Sequence, residues 1–324
     1  MRIAFLGTPE FAVPSLKMLV ESGHEIAVFT QPDRPKGRGK SLAMPEVKVF
    51  ALEAGLPVYQ FEKIRSEEGV AALREFAPDL MVTAAFGQLL SKADLDVPKY
   101  GCINVHGSLL PKFRGASPIQ SAIIAGERIT GCTTMLTEIG MDTGDILLYK
   151  EVEIGEDETY GELYARLSVL GAELLKDTID ALENGTLTRT PQNGDEATRC
   201  KTIKKSEAQI DFSLPSKRIH DLVRGLDPSP IAYAVYAGGS IKIFKTKPLG
   251  EDSSLLFEAN EAGENAAIGE CVIASSKKGL VVKTGDGYIE IRELQFPNAK
   301  RMDAKAALNG KKLLGVVFEA PESV

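Results

Sequence analysis

The sequence has few cysteines and no long apolar run, and each absence excludes a class of protein. The four cysteines, at positions 102, 132, 200 and 271, form no CxxC pair and have no pair of histidines nearby in the sequence. This spacing argues against a zinc site, so we interpret the cysteines as reduced thiols and expect no bound metal. No apolar stretch approaches the roughly 20 residues that a membrane-spanning helix needs. The apolar run before Gly7 is also too short for a secretion signal. We therefore expect a cytoplasmic protein with no membrane partner.

The sequence also lacks the glycine patterns that bind dinucleotides and nucleoside triphosphates. Its first predicted strand ends in FLGTPEF, which has one glycine where the GxGxxG fingerprint has three. Those glycines allow the backbone to approach a pyrophosphate closely. No Walker A sequence is present either. An ordinary nicotinamide or P-loop enzyme is therefore disfavoured.

Positive charge is scarce in the first part of the chain. The formal net charge of all 324 residues is −7. Residues 1–200 carry 20 Lys and Arg against 29 Asp and Glu, whereas residues 201–324 carry 18 against 16. Because the total conceals this distribution, a nucleic-acid partner is not excluded. We expect any such contact to involve the C-terminal part more than the rest.

Short apolar runs alternate with helical patterns through the first half of the chain. We predict an α/β fold, in which a Rossmann-like parallel sheet with helices on both faces forms residues 1–187. A long helix ending near Gly185 closes this domain, and a polar, basic linker follows at residues 188–208. Residues 209–324 are predicted to form a smaller, mostly β domain. Several predicted strands there are separated by glycine-containing turns.

The clearest candidate site follows the apolar strand that begins at Cys102. Asn104 and His106 are two residues apart, so on a strand their side chains point to the same side. A glycine and a proline follow, which indicates a turn at the carboxyl edge of the sheet, where ligands of such folds bind. A lone histidine after an apolar strand is more often structural. Its pairing with an asparagine favours the functional interpretation.

A second candidate is the glycine-containing loop from Glu138 to Asp145, which carries the acidic residues Asp142 and Asp145. One interpretation is ordinary turn chemistry, with an aspartate hydrogen-bonded to its own backbone. The other is a catalytic carboxylate. Metal binding by this loop has less support than either interpretation, because no histidine or carboxylate cluster is spaced to complete a coordination shell.

Several segments together resemble the 10-formyltetrahydrofolate-dependent formyltransferases. They are INVHGSLLPKFRGASPIQ, GMDTGDIL and the opening FLGTPEFAVPSL. The block QPDRPKGRGK and the downstream β domain resemble the branch of that family whose acceptor is methionyl-tRNA. The resemblance extends from Met1 to about Leu314. It implies a Rossmann-like catalytic domain, a C-terminal barrel similar to an OB-fold, and 10-formyltetrahydrofolate as formyl donor.

The resemblance also implies roles for individual residues. The implied catalytic residues are Asn104, His106 and Asp142. The implied folate-binding residues are Phe86, Gly87, Gln88, Leu89, Ser108, Leu109, Leu110, Pro111 and Gly140. One departure is that Ser229 stands between Pro228 and Pro230, where some members carry an aromatic residue. This puts a detail of the C-terminal domain in doubt and leaves the catalytic residues untouched.

These residue types suit formyl transfer to an amine. The reaction passes through a tetrahedral centre with negative charge on oxygen, and preorganised donors such as an Asn amide stabilise that charge. A histidine that titrates near neutrality can move the protons of the attacking and leaving nitrogens. Asp142 would either favour the charged form of His106 or order a water that accepts the amine proton. No Ser or Cys nucleophile is needed.

The acceptor is predicted from the additional domain and from a basic loop. A small acceptor, such as an amino sugar or a ribonucleotide amine, does not obviously require about 110 further residues, and open β-barrels of the OB type bind nucleic acids. The loop Gln31–Lys40 carries four positive residues, and such loops can order on a phosphate backbone. The predicted tRNA-binding residues are Arg34, Lys36, Arg38, Lys40, Lys204 and Lys205. We expect a monomer that acts on initiator methionyl-tRNA. The alternatives for the whole protein are a small-amine formyltransferase and a non-enzymatic RNA-binding module. The alternative for the basic loop is an ordinary solvated surface loop.

Overall fold

The structure is a computed structural model that describes residues 1–36 and 41–321. The chain divides into two compact units. Unit 1 comprises Met1–Pro118, Ile129–Glu153 and Leu163–Cys200, and unit 2 comprises Ile119–Arg128, Ile154–Glu162 and Lys201–Val324. Each unit is assembled from three separate stretches of the chain. The predicted domains, which are continuous in sequence with boundaries after residues 187 and 208, therefore stay a prediction.

The first part of the chain alternates strands and helices as predicted. Its elements are β1 (Arg2–Gly7), α1 (Val13–Glu21), β2 (Glu25–Thr30), β3 (Arg34–Lys36), β4 (Ser41–Ala43), α2 (Glu46–Glu53), β5 (Val58–Gln60), α3 (Glu67–Phe76), β6 (Leu80–Ala84), α4 (Lys92–Leu95), β7 (Cys102–His106), β8 (Arg114–Gly115), α5 (Pro118–Ala125), β9 (Ile129–Leu136), β10 (Ile146–Glu153), α6 (Tyr160–Glu183) and β11 (Arg199–Cys200).

Within the described residues, the main sheet of unit 1 has the order β10-β9-β7-β6-β1-β2-β5. Strands β7, β6, β1, β2 and β5 are mutually parallel, which confirms the predicted Rossmann-like core. Strands β9 and β10 are antiparallel additions. The parallel strands consist of apolar runs because helices cover both faces of such a sheet. Their carboxyl ends therefore meet at one edge, and β7 delivers Asn104 and His106 to it.

Local sequence determines where the helices begin and end. The side chain of Ser66 accepts a hydrogen bond from the Gly69 amide and caps the start of α3. Ala77 ends that helix in a left-handed conformation with φ of 48°. The long helix α6 ends at Glu183, and Gly185 follows with φ of +69°. That glycine is the predicted C-terminal stop, since glycine adopts this conformation without steric cost.

The second part of the chain is mostly β, as predicted. Its elements are α7 (Ser216–Gly225), β12 (Ala232–Tyr236), β13 (Gly239–Pro248), α8 (Leu256–Gly263), β14 (Cys271–Ser275), β15 (Gly279–Lys283), β16 (Tyr288–Gln295), β17 (Met302–Asp303) and α9 (Ala304–Ala307). Strands β12-β13-β16-β15-β14 form an antiparallel sheet in that order, and β17 pairs with β16. Val317 bridges to Glu270 beside β14, and Glu319 bridges to Val235 in β12. One C-terminal segment thus contacts both edges of the sheet, as in a barrel that closes on itself.

Buried apolar side chains form the core of unit 2. Ile219 and Val223 of α7 pack with residues of the antiparallel sheet, including Ile243, Ile289 and Ile291. All five are at most 1% exposed. Alternating sheet residues turn inward, which explains why the period-two pattern predicted these strands correctly. Among the described residues, no helix is long and apolar enough to cross a membrane.

Candidate active site

Asn104 lies on β7, directly opposite Thr83 of the neighbouring strand β6. The Thr83 hydroxyl donates to the Asn104 side-chain oxygen over 2.9 Å. Thr83 is 7% exposed, and Asn104 is half-buried. Because the side-chain oxygen of Asn104 already accepts from Thr83, the NH2 group of Asn104 is the part of the amide that can bind a ligand, as a donor. Among the described residues, no group accepts a hydrogen bond from this NH2 group.

His106 ends β7 and is 6% exposed. Its Nε2 lies 3.0 Å from the Phe113 carbonyl oxygen. A carbonyl oxygen only accepts, so Nε2 carries a proton and donates it in this contact. In the neutral ring Nδ1 then holds the lone pair. This second nitrogen faces Asp142, with 3.8 Å between Nδ1 and Oδ2.

Asp142 has a left-handed backbone with φ of 54°. Its carboxylate Oδ2 accepts the backbone N–H of Gly115 over 2.7 Å. The side chain of Asp142 is 17% exposed. The structure therefore brings together all three residues that the sequence predicted as catalytic. The Asx-turn interpretation does not match this contact, because Asp142 binds a backbone N–H 27 residues away rather than its own.

The segment from Ser108 to Phe113 is a tightly held turn. Ser108 is fully buried, its hydroxyl donates to the Lys112 carbonyl over 2.7 Å, and its own carbonyl accepts from the Thr133 hydroxyl. The Leu110–Pro111 peptide bond is cis, and Phe113 has φ of 57°. The buried hydroxyl of Ser108 is thus structural. This turn places the Phe113 carbonyl against His106.

Gly115 sits where a side chain has no room. A Cβ atom at this position would lie 2.0 Å from the Cys200 carbonyl oxygen, and the φ of +125° favours glycine. Strands β8 and β11 pair here, with Arg114 opposite Arg199 and Gly115 opposite Cys200. The Gly115 N–H donates to the Asp142 carboxylate.

The predicted folate segment Phe86–Leu89 follows β6 at the same edge of the sheet. The Phe86 carbonyl accepts from the Thr8 hydroxyl over 2.9 Å and from Gln31 Nε2 over 3.1 Å. Gly87 has φ of +77°, and a Cβ there would lie 2.5 Å from Gln31. The Gln88 side chain bonds the Phe61 carbonyl and the Ile64 amide. This segment is therefore held by its own neighbours, and its role in folate binding stays a prediction.

Three large apolar side chains are exposed in or beside two of the three segments that the resemblance assigned to folate. Leu89 is 62% exposed, Ile139 74% and Met141 62%. Gly140 lies between the last two, and a Cβ atom on it would lie 2.2 Å from the Thr143 hydroxyl oxygen. Met141 directly precedes Asp142 in the chain, and exposed apolar surface of this kind suits a flat aromatic ligand.

The buried cysteines near the site are not nucleophiles. Burial raises the pKa of the Cys102 thiol to about 12, against weaker lowering by hydrogen bonds from Thr137 and Thr83. Burial likewise raises the pKa of Cys132 to about 12. Both stay protonated at neutral pH, whereas the nucleophile is the thiolate. Within the described ranges, no group of three His, Cys, Asp or Glu side chains could hold a metal ion.

The predicted tRNA-binding residues are only partly described. Arg34 forms a 2.6 Å ion pair with Glu62, and both side chains are more than half exposed. Lys204 and Lys205 are exposed at the 3₁₀ turn Lys205–Ala208. Lys36 is described only as part of β3, and Arg38 and Lys40 lie outside the described residues.

Sequence reasoning missed four groups that hold Asn104, His106 and Asp142. They are the Thr83 hydroxyl, the Phe113 carbonyl, the Gly115 N–H and the Gln192 side chain. Thr83 is a polar residue in an otherwise apolar strand, and this interruption is a signal that could have been used. Gln192 lies in the segment predicted as linker, where nothing in the sequence distinguishes it.

Comparison with known proteins agrees with these features. The chain matches the model for the formyl transferase family over residues 1–179 and the formyl transferase C-terminal domain over residues 202–312. It is 48% identical to the methionyl-tRNA formyltransferase of Ruminiclostridium cellulolyticum over 314 residues, which is 97% of each protein.

Two solved structures are similar in fold. WlaRD, a sugar 3N-formyl transferase crystallised with dTDP and 5-N-formyl-THF, has a TM-score of 0.65 at 20% identity over 90% of this chain and 97% of that chain. HypX from Aquifex aeolicus with tetrahydrofolic acid has a TM-score of 0.61 at 18% identity over 95% of this chain. This chain spans about half of HypX, 47% of its length. At such identities the likeness shows the fold alone.

The family model covers more than half of the chain, and a relative nearly half identical in sequence aligns over almost its whole length. The chain therefore belongs to the methionyl-tRNA formyltransferases of the formyl transferase family.

Proposed function

We propose that this chain transfers the formyl group of 10-formyltetrahydrofolate to the amino group of initiator methionyl-tRNA, which then serves in translation initiation. The observation that carries the proposal is the arrangement of Asn104, His106 and Asp142 at the carboxyl edge of the sheet. An oriented amide donor and a histidine with a free lone pair, backed by a carboxylate, are the groups that acyl transfer to an amine requires.

Asn104 stabilises the oxygen that becomes negative when the amine attacks the formyl carbon. The Thr83 hydroxyl occupies the amide oxygen of Asn104 and leaves the NH2 group to face the reacting centre. A donor oriented before the reaction needs no reorganisation as charge develops, which makes such groups effective.

His106 moves the proton. Its Nε2–H is committed to the Phe113 carbonyl, so Nδ1 is the basic atom of the neutral ring. Nδ1 accepts the proton that the amine loses as the new C–N bond forms. The same proton is then available to the folate nitrogen as its bond to the formyl carbon breaks. Protons and electrons balance without a further reactant.

Asp142 supports the charged state of His106. The 3.8 Å between Nδ1 and Oδ2 exceeds a direct hydrogen bond, but two opposite charges at this distance in a half-buried site attract strongly. The carboxylate thus stabilises the imidazolium that forms during the transfer. The Gly115 N–H keeps Oδ2 in place.

The donor site is built from the segments Phe86–Leu89, Ser108–Pro111 and Gly140. The exposed Leu89, Ile139 and Met141 side chains offer apolar surface to the pterin ring. The apolar surface and the hydrogen-bonded turns fit a folate, and the folate supplies the formyl group already activated on nitrogen. For this reason no covalent enzyme intermediate is required.

A panel of acceptors tests the proposal. Purified enzyme and 10-formyltetrahydrofolate are mixed with methionyl-tRNA, uncharged tRNA, free methionine or a dTDP-linked amino sugar, and formylated product is measured. We expect rapid formylation of methionyl-tRNA and little of the others. Preferential formylation of the amino sugar would show that methionyl-tRNA is not the acceptor, while formyl transfer from the folate would still stand. We further propose that the enzyme acts as a monomer, which sedimentation of the purified protein tests, and that it acts in the cytoplasm, which fractionation of the cells tests.

Arg38 in the basic loop provides a separate prediction about tRNA. Phosphate contacts release counterions, so tRNA affinity should fall with salt, and each lost contact should reduce the salt slope by about one unit. We expect Arg38→Ala to weaken use of methionyl-tRNA and flatten this slope, with folate binding unchanged. Arg38→Lys should restore only part of the activity with methionyl-tRNA, because the ammonium of lysine is a point charge and does not form the paired hydrogen bonds of a planar guanidinium.

The measurement is the rate against tRNA concentration at several salt concentrations. Arg74→Ala is the matched control, because it removes the same charge from an exposed position on α3. If Arg38→Ala behaves as Arg74→Ala does, Arg38 makes no contact with tRNA, and the loop is an ordinary solvated turn.

A further inference from the structure

Gln192 uses every hydrogen-bonding group of its side chain. Its Nε2 donates to the Asp142 carbonyl over 2.9 Å and to the Gly144 carbonyl over 2.7 Å. Its Oε1 accepts from Arg114 Nε over 3.0 Å and from Arg114 Nη2 over 2.7 Å. Backbone carbonyls only accept and a guanidinium only donates, so the orientation of the amide is unambiguous.

These contacts close a ring around the catalytic carboxylate. Gln192 holds the backbone of Asp142, and the Asp142 carboxylate holds the Gly115 N–H. Gly115 follows Arg114, whose guanidinium returns to Gln192. The preceding residue, Phe113, accepts from His106 through its carbonyl. The consecutive residues Phe113, Arg114 and Gly115 thus contact His106, Gln192 and Asp142 respectively.

The ring also accounts for the unusual backbone of Asp142. A non-glycine residue with φ of 54° is strained and persists only where its surroundings hold it. The donors of Gln192 bind the carbonyl of this residue and that of Gly144 two positions on. They therefore fix the segment whose conformation aims the carboxylate at His106.

We propose that Gln192, together with Arg114, is a positioning residue that holds Asp142 opposite His106. The inference rests on the proposed function, in which Asp142 stabilises the charged ring. Gln192 acts through Asp142 and does not touch the reacting atoms. A displacement of the carboxylate by about 1 Å is enough to cost a large factor in rate.

Two substitutions separate the two halves of the contact. Gln192→Met has a similar length and loses the hydrogen bonds to Arg114, Asp142 and Gly144. Gln192→Glu keeps an acceptor for Arg114 but places a carboxylate oxygen against the Asp142 and Gly144 carbonyls. We expect both to lower kcat by about tenfold or more, with the Kd for 10-formyltetrahydrofolate changed less than about twofold. If Gln192→Glu retains full activity, the donors to the Asp142 loop are unimportant and the proposal is wrong.

A variant in the same segment controls for general disruption. Among the residues that the structure describes, Asn193 bonds only its close neighbours Asp195 and Glu196. Asn193→Ala should keep kcat, and thermal unfolding should show all three variants folded. The informative comparison is made in an Asp142→Asn background. There Gln192→Met should cost little further activity, because the carboxylate it positions is already gone.

The outcomes distinguish this inference from the proposed function. A full loss from Gln192→Met in the Asp142→Asn background would show a merely structural role and overturn the inference. A raised folate Kd with normal kcat would do the same, since Gln192 would then be shaping the folate loop. If Asp142→Asn itself leaves kcat normal, the proposed function of Asp142 fails, whatever Gln192 does.

Discussion

Replacing Asn104 by alanine lowers kcat for formyl transfer to methionyl-tRNA by roughly a hundredfold or more, because loss of one oxyanion donor has an effect of this size. The folate Kd changes little, since the donor acts on charge that develops only in the transition state. Single-turnover transfer at saturating folate and methionyl-tRNA measures the chemical step, and a direct binding titration measures the Kd.

Thr83 supplies the matched controls for this result. Thr83→Val has nearly the same shape and removes the hydroxyl that donates to Asn104, so the amide is no longer held in one orientation. We expect a smaller loss of kcat than in Asn104→Ala, and near-normal activity in Thr83→Ser, which keeps the hydroxyl. Normal turnover in Asn104→Ala would remove this residue from the catalytic machinery.

His106→Ala and Asp142→Ala should each lower kcat by roughly a hundredfold or more as well. Without His106 the amine proton has no positioned acceptor, and without Asp142 the imidazolium loses its counter-charge. Because the two residues act as one unit, the double variant should be hardly slower than the poorer single variant. The measurement is a double-mutant cycle on single-turnover rates at fixed pH.

Asp145 is the control for the carboxylate. It lies in the same loop as Asp142, and the spacing of the loop did not distinguish the two, whereas the family resemblance implied Asp142. The structure shows the Asp142 side chain against Gly115 and His106. Asp145→Ala should therefore keep most of the turnover. Losses that multiply in the double variant His106→Ala, Asp142→Ala would contradict the proposed unit.

The parallel core could be predicted because its signal is local. Strands β1, β2, β6 and β7 are apolar runs that helical patterns separate, and burial on both faces of the sheet produces such runs. Strands β10 and β14 and the helices α5 and α8 were not predicted. In β10 only Leu147 is buried, and half-buried and exposed residues alternate from Leu148 to Glu153. The strand lies at the edge of the sheet as an antiparallel addition, a placement that depends on pairing with β9.

The candidate site was predictable where its residues lie in motifs and not where they meet in space. Asn104, His106 and Asp142 stand in segments that resemble a family, and the structure brings them together. Gln192 lies 50 residues beyond Asp142 in a polar segment predicted as linker. Its contacts depend on how β11 returns to β8, which is a tertiary arrangement without a local pattern.

The central claim is that this site moves a formyl group from folate nitrogen to the amine of methionyl-tRNA. The direct measurement follows an isotopic label in the formyl group of 10-formyltetrahydrofolate through one turnover with excess enzyme and methionyl-tRNA. The account predicts that the label appears as N-formylmethionine after the aminoacyl ester is hydrolysed, and that Asn104→Ala slows its appearance. Label released as free formate, or left on the folate while methionyl-tRNA stays unmodified, would contradict it.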